Sequence, residues 1–345
     1  RVHHLGGDSR PDAVGRRVVI ETVVLDDGRV DRYPAAELAD ARDATGTTWV
    51  RVSDAGPDEL DRVAEAFGIH PLSVEDVRGD VRPKAEEFPN HAFLLLRTAT
   101  LARGDTSFEE EIRSTHVGLF LGRDWLVTLS TGRVDAVQRT WDAALGGEPR
   151  LTANGPDFLA YRVTDGIVDG YFDLLDELED LIEEMEESVL ETPDPEVLPR
   201  LNAVRRDLLS FRKVIWPTRE AVGVFARGDP DEVRDTTEKY YRDVYDHVVQ
   251  LVDLTETYRD LARGARDIYL NTLAQSTNEV TKVLTVVATL ILPLTLVVGL
   301  FGMNFAGTPT NMPELGWEYA YPAVMLGMGG SALVLLVYFR QEGWL

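Results

Sequence analysis

The stretch KVLTVVATLILPLTLVVGLFGMN, Lys282 to Asn304, decides how this chain folds. Val283 to Gly302 carries no charged side chain. At about 1.5 Å rise per residue, a helix of that length spans roughly 30 Å, the hydrocarbon thickness of a bilayer. It stops at Gly302-Met303-Asn304. Within it Thr285, Ala288, Thr295 and Gly299 lie close to 3-4 spacing, so hydroxyl and small residues share one helix face. Lipid-facing surface has no use for such a face. A helix packed against copies of itself, or lining water, does.

Downstream, a loop at 304–320 carries Glu314 and Glu318 and neither Lys nor Arg. Residues 321–339, YPAVMLGMGGSALVLLVYF, form a second uncharged span, in which Gly327 to Ser331 lets a neighbour approach closely. Lys282 and Arg340 flank the two spans on one side. The positive-inside rule therefore places both termini in the cytosol, the short loop outside, and 340–345 as a cytosolic tail. Trp317, Tyr319, Tyr321, Tyr338 and Trp344 suit the two interfacial belts.

Upstream, no helix breaker stands between about residue 231 and the membrane. Continuous helix from there to 302 would be ~105 Å long, so 231–282 reads as a stalk feeding a first transmembrane helix at 283–303. The stalk carries two stripes. Val244, Val248, Leu251, Leu254, Tyr258, Leu261, Ala265 and Ile268 form an apolar one. The other keeps strict 3-4 spacing: Asp243, Asp246, Gln250, Asp253, Thr257, Asp260, Gly264, Asp267, Asn271, Ala274, Asn278 and Thr281. It runs on as Thr285, Ala288, Leu292, Thr295, Gly299 and Gly302. A 3.5-residue repeat of this length keeps one seam turned toward an axis in a supercoiled bundle. Below the membrane the polar stripe could equally be the wet side of an amphipathic helix. Inside a bilayer there is no wet side.

The rest of the chain precedes the stalk. Residues 1–15 read as a loose tail without an apolar core of signal-peptide type, so the bulk of the protein is expected to stay cytosolic. Residues 16–150 read as a mixed α/β domain. Its strands are expected at Arg17 to Leu25, Arg29 to Tyr33, Thr48 to Val52, His91 to Thr100, Ile112 to Leu121 and Trp125 to Ser130. Helices are expected at Pro57 to Phe67, Leu72 to Val77 and Val134 to Leu145. Residues 155–228 form an acidic helical hairpin, Pro156 to Glu191 returning from Pro195 to about Phe225. More than half of Asp173 to Glu191 is Asp or Glu, a solvated face or a collector of cations.

The chain has no cysteine, which excludes disulfides and thiolate metal sites. A formal net charge of −24 makes nucleic acid a poor partner and cations natural ones. Four lysines stand beside 31 arginines. Acid excess with few lysines fits a salt-crowded cytosol, and high-GC codon usage accounts for the arginine preference equally well. Phosphate loops and nucleophile–base arrangements are missing from the sequence, and its six histidines are scattered without ligand spacing. An enzyme is therefore not expected.

One polar span per chain cannot enclose a pore, so a pore needs several copies about an axis. Asn304 would then form a ring of amides at the mouth. Amide oxygens are neutral acceptors able to hold the water shell of a hard cation, and magnesium gives up that shell reluctantly. Carboxylates there would bind divalent ions harder and release them more slowly.

In these features the chain resembles the CorA family of magnesium channels. The resemblance is carried by Gly302-Met303-Asn304 within Thr277 to Phe305, by MPELGWEYAYP (Met312 to Pro322), and by the final Trp344-Leu345. His70-Pro71-Leu72, Glu75-Asp76-Val77, Arg82-Pro83-Lys84 and Arg242 to His247 are similar too. The likeness implies a cytosolic α+β domain of αββαββα type, a long stalk helix and two C-terminal transmembrane helices, assembled as a funnel-shaped homopentamer. It matches Gly302, Met303 and Asn304 to the selectivity filter, and Asn278, Thr281, Leu284, Ala288, Leu292, Thr295 and Gly299 to pore-lining positions. Asp267 matches an acidic ring below the membrane. Asp243 matches a carboxylate that binds regulatory Mg2+ between subunits, with Asp105 and Glu109 as candidate partners. Phe301 replaces a usual tyrosine, Thr281 a common bulky gate residue, and Arg340 with Glu342 a usual basic run. The resemblance implies passage of Mg2+, with Co2+ or Ni2+, across the cytoplasmic membrane. The alternatives are a zinc transporter of the same superfamily, against which Met303 speaks, and a non-conducting, membrane-anchored cation sensor, against which the polar seam speaks.

Overall fold

The computed structural model describes residues 19–102, 111–191, 194–303 and 312–344. It divides into two compact units, Arg1–Ser188 with Asp194–Arg266, and Val189–Pro193 with Asp267–Leu345.

The first unit is built on a mixed seven-stranded sheet. Its first strands are β1 (Val19–Asp26), β2 (Arg29–Tyr33), β3 (Thr47–Ser53), β4 (Lys84–Phe88) and β5 (His91–Arg97). A separate two-stranded ribbon follows, β6 (Thr100–Ala102) with β7 (Glu111–Arg113). Strands β8 (His116–Leu121) and β9 (Trp125–Ser130) then complete the sheet, whose order is β2-β1-β3-β9-β8-β5-β4. Only β3 and β9 pair in parallel; the other neighbours are antiparallel. The β1–β2 turn is Asp27-Gly28, both at positive φ, the backbone that a two-residue hairpin needs and that Asp-Gly tolerates.

β8 and β9 bury nearly every residue, because helices cover both sheet faces. Helices α1 (Leu38–Asp43), α2 (Pro57–Phe67) and α3 (Pro71–Arg78) take one face. There Leu38, Leu60, Phe67 and Val77 pack with Val50, Phe93, Phe120 and Trp125. Two helices are set by local chemistry. Glu59 accepts the Gly56 amide at 2.7 Å at the start of α2, and His70 Nδ1 accepts the Leu72 amide at 3.3 Å at the start of α3. On the other face Trp49 meets Trp141 edge to face at 4.9 Å. Trp141 is carried on α4 (Asp135–Leu145), which α5 (Pro149–Ala153) follows.

A helical hairpin and a stalk complete the unit: α6 (Pro156–Glu191), α7 (Val197–Ala226) and α8 (Asp235–Phe301). The buried Asp157 carboxylate holds the chain just before α8, accepting from the Arg234 amide at 3.1 Å and from its Nε at 3.0 Å. In the second unit α8 continues to Phe301, and after the 3-10 turn Pro313–Gly316 comes α9 (Ala320–Gln341). Among the described residues, α8 and α9 are the two helices long and apolar enough to cross a bilayer.

Several expectations change. The strands expected at His91 to Thr100 and Ile112 to Leu121 each break in two, releasing the β6–β7 ribbon. Helices α1 and α5 and strand β4 are additions. The αββαββα order is therefore a simplification of a sheet that opens on the β1–β2 hairpin. The stalk's buried stripe also shifts register. It runs Tyr241, Val244, Val248, Leu251, Thr255, Tyr258, Ala262, Ala265, Tyr269 in unbroken 3-4 spacing. Leu261 and Ile268, expected in it, are each 42% exposed. Thr255 can occupy the apolar seam because its hydroxyl donates to the Leu251 carbonyl at 2.7 Å.

Candidate ion-conduction seam

The seam read from the sequence lies along one helix, and all of it but Ala288 is exposed. In the first unit Asp243, Asp246, Gln250, Asp253, Thr257 and Asp260 are all exposed. In the second, Asp267, Asn271, Asn278, Thr281, Leu284, Thr285, Leu292, Thr295, Gly299 and Gly302 are exposed and Ala288 is half-buried. As far as Tyr269 the helix buries its other stripe and leaves this one bare; beyond it most of the helix surface is exposed on every side.

The exposed stripe is not chemically inert. Thr281 Oγ1 donates to the Thr277 carbonyl at 2.8 Å, Thr285 to Thr281 at 2.7 Å, and Thr295 to Ile291 at 2.9 Å. Each hydroxyl hydrogen is thus spent inside the helix. What remains outward is oxygen lone pairs, acceptors toward water and toward the hydrogens of a hydrated cation. Sequence spacing located these threonines; only the side-chain conformations show that they present acceptors rather than donors.

The top of the seam is where regular helix ends. The Gly302 amide donates to the Val298 carbonyl at 2.9 Å and the Met303 amide to Leu300 at 3.3 Å. A Cβ at Gly302 would sit 3.0 Å from the Val298 oxygen, so a side chain there would crowd the last turn. Met303 is exposed. Asn304 lies outside the described residues, as do Asp105 and Glu109, the candidate partners of Asp243.

Lower down, Asp260 pairs with Arg263 at 2.8 Å. Asp243 and Asp267 enter no ion pair among the described residues, where no group of three His, Asp or Glu side chains gathers to hold a metal. Tyr258 ties the stalk to the acidic hairpin, its hydroxyl donating to Glu179 Oε2 at 2.5 Å. Burial, then this hydrogen bond, raises the Tyr258 pKa well above the ordinary phenol range, so it stays a donor.

The apolar surface of the second unit is equally bare. From residue 267 on, Tyr269, Val286 and Phe339 are buried among the described residues, while Val283, Leu284, Ile291, Leu292 and Leu296 on α8 and Leu326, Leu333 and Val334 on α9 are exposed. In water such a surface would be a large uncompensated apolar patch. Lipid or further helices satisfy it.

Residues 44–341 match the family model described as CorA-like Mg2+ transporter protein. The cobalt/magnesium transport protein CorA of Thermotoga maritima is 37% identical over 306 residues, covering 88% of this chain and 85% of its own. The protein of the same name from Methanocaldococcus jannaschii is 27% identical over 303 residues, covering 86% and 91%. The solved complete structure of the CorA magnesium transporter from M. jannaschii superposes with a TM-score of 0.78, covering 95% of this chain and 99% of that one at 22% identity. With a family model matching most of its length and a relative 37% identical across most of both chains, this protein belongs to the CorA-like Mg2+ transporter protein family.

Proposed function

We propose that this chain assembles as a homopentamer in the cytoplasmic membrane and passes Mg2+, with Co2+ and Ni2+ as further substrates, down its electrochemical gradient. The observation that carries this reading is the exposed, strictly spaced seam on α8. It changes from acidic to amide and hydroxyl to small along its length and ends at Gly302-Met303-Asn304. Five copies of that seam about an axis would surround water with acceptor oxygens. Thr285 and Thr295 would support the hydration shell, and rings of Leu284 and Leu292 would narrow the path. Asn304 would supply the selective ring at the outer mouth, gripping the hydrated ion without a full negative charge.

Closure in this reading is electrostatic. Exposed acids such as Asp243 repel their counterparts on a neighbouring copy, and a divalent ion between them converts repulsion into a bridge. Asp243 belongs to no group of three His, Asp or Glu side chains among the described residues, so an ion held there would take much of its shell from water or another copy. High cytosolic Mg2+ then shuts the pore, and depletion opens it. The zinc reading is not favoured: Met303 stands at the centre of the signature, and the compared relatives carry cobalt and magnesium in their names.

The test is flux into proteoliposomes loaded with a Mg2+-sensitive dye. The native chain should take up Mg2+, and Asn304→Ala should lose uptake or its preference for Mg2+. Full, selective uptake by that variant would reject the assigned filter.

A further inference from the structure

Acids outnumber cations on this chain, yet one element reverses the sign. Between Val197 and Arg219 on α7 stand Arg200, Arg205, Arg206, Arg212, Lys213 and Arg219, and the single acid among them, Asp207, is buried. Arg205, Leu209, Arg212, Trp216 and Arg219 follow at steps of four and three, which places them on one helix face. Arg206 and Lys213 flank that face and are exposed. Leu209 is 40% exposed and Trp216 38%. The guanidiniums of Arg212 and Arg219 lie over the Trp216 ring, at 5.5 and 4.7 Å from its centre. Arg205, Arg206 and Lys213 enter no ion pair among the described residues.

A stripe of opposite sign lies on the other helix of the hairpin. Asp173, Asp176, Asp180, Glu183 and Glu187 on α6 also alternate steps of three and four. All five are exposed, and none enters an ion pair among the described residues. Each stripe spans the same number of residues, about 21 Å of helix. They also stand at one height. Arg212 reaches Glu256 on α8 at 3.7 Å, and Tyr258, half a turn further along α8, donates to Glu179 at 2.5 Å. Lys213 and Asp180 therefore flank the same turn of the stalk. Within one chain the stripes stay unpaired: among the described residues the ion pair that joins the two helices is Arg200 with Glu184 at 3.5 Å, and neither belongs to a stripe.

We propose that the basic stripe of α7 docks on the acidic stripe of α6 in the adjacent copy, an inference that rests on the assembly read above. Two different patches meeting head to tail form a heterologous contact, which closes into a ring when repeated about an axis. Rotation about an axis along the stalk keeps each residue at its own height, so Lys213 meets Asp176 and Asp180 of the adjacent copy. Leu209 and Trp216 exclude water from the contact, which strengthens the charge pairs beside them. Copies of a chain at −24 repel one another over most of their surface, and here the sign is locally reversed. A flat anionic membrane would meet the same cations, but it would also press on the acids of α6 in the same hairpin. The adjacent copy offers a stripe of matched sign, length and height.

Zero-length carbodiimide coupling tests this, because Lys213 is the only lysine on α7. Full-length chains bearing Lys213→Arg are co-expressed with chains bearing Asp176→Asn/Asp180→Asn, all changes at exposed side chains. In the mixed assembly only an amide between chains can join Lys213 to Asp176 or Asp180. That joined peptide is expected by mass spectrometry in detergent, and its loss when every chain carries Lys213→Arg. Lys84, 2.8 Å from Asp76, should couple within its own chain in every sample and shows that the reagent acts. Light scattering on the same samples reads the assembly. A single-chain mass would overturn the assembly and this docking with it. An oligomer in which Lys213 joins no acid of α6 in another chain would overturn the docking alone. Lys213 uncoupled in detergent but shielded from acylation in anionic vesicles would give the face to lipid and overturn it too.

Discussion

At the scale of single residues, two buried polar groups decide more than their number implies. Asp157 is 0% exposed, and its carboxylate is satisfied by the amide and guanidinium of Arg234, at the point where the chain turns into α8. The Arg234 side chain is half exposed, so without Asp157 water can hydrate it, and the loss is that of the charged hydrogen bonds. Asp157→Ala should destabilise the protein by about 2 kcal/mol, measured as a lowered denaturation midpoint. Asp157→Asn, which retains an acceptor, should cost less. His91 makes the opposite kind of demand. Its folded pKa, lowered by burial to about 4, lies below the ordinary 6.5. Between those values the unfolded chain binds a proton that the fold refuses. The His91 contribution is therefore complete above about pH 6.5 and is lost as pH falls toward 4. The slope is at most about 1.4 kcal/mol per pH unit. His91→Phe should flatten that part of the stability–pH curve, and an unchanged slope would mean another group titrates there.

At the scale of elements, α8 serves two environments with one repeat. Its buried stripe from Tyr241 to Tyr269 and its exposed stripe from Asp243 to Gly302 both advance by 3-4 steps. Their mean spacing of 3.5 keeps each from drifting round the helix when the helix supercoils. The consequences of truncation therefore separate by face. Leu251 is 0% exposed, and Leu251→Ala should cost about 2–5 kcal/mol of protomer stability. Leu284 is 67% exposed. Leu284→Ala should leave protomer stability within about 0.5 kcal/mol yet raise Mg2+ leak under closing conditions. A melt and a flux assay on the same two variants would show whether the two faces do different work.

At the scale of the whole molecule, charge dominates. The chain carries a net −24, and any assembly of copies concentrates that charge. Divalent cations should stabilise it beyond simple screening. Mg2+ at a hundredfold over its dissociation constant should add roughly 2.7 kcal/mol per site, read as a raised melting temperature relative to Na+ at equal ionic strength. Asp243→Asn should remove much of that difference and weaken inhibition of flux by Mg2+. An equal Mg2+ shift in this variant would exclude Asp243 as the regulatory ligand.

The sequence by itself determined the elements whose signals are long and local. α6 runs Pro156–Glu191 as its apolar stripe and flanking prolines require, and an unbroken periodic stretch became the 67-residue α8. The spacing of the polar seam was legible because helical geometry alone places residues three and four apart on one face. Tertiary structure decided what depends on residues far apart. Whether Leu261 or Ala262 is buried turns on which side of α8 the protein packs against, and a propensity pattern with apolar residues at both cannot choose. Strand β4 was invisible because Lys84 to Phe88 is charged and half-exposed, and it becomes a strand only by pairing with β5. The outward lone pairs of Thr285 and Thr295 depend on side-chain torsions. The contact of His91 Nδ1 with Asn90 Oδ1 depends on the Asn90 amide being held by Gly68, from the far side of α3 in the chain. Periodicity is a one-dimensional property and survives in the sequence. Hydrogen-bond partners, register between strands and the choice of buried face are set in three dimensions, where the free energy of packing is decided.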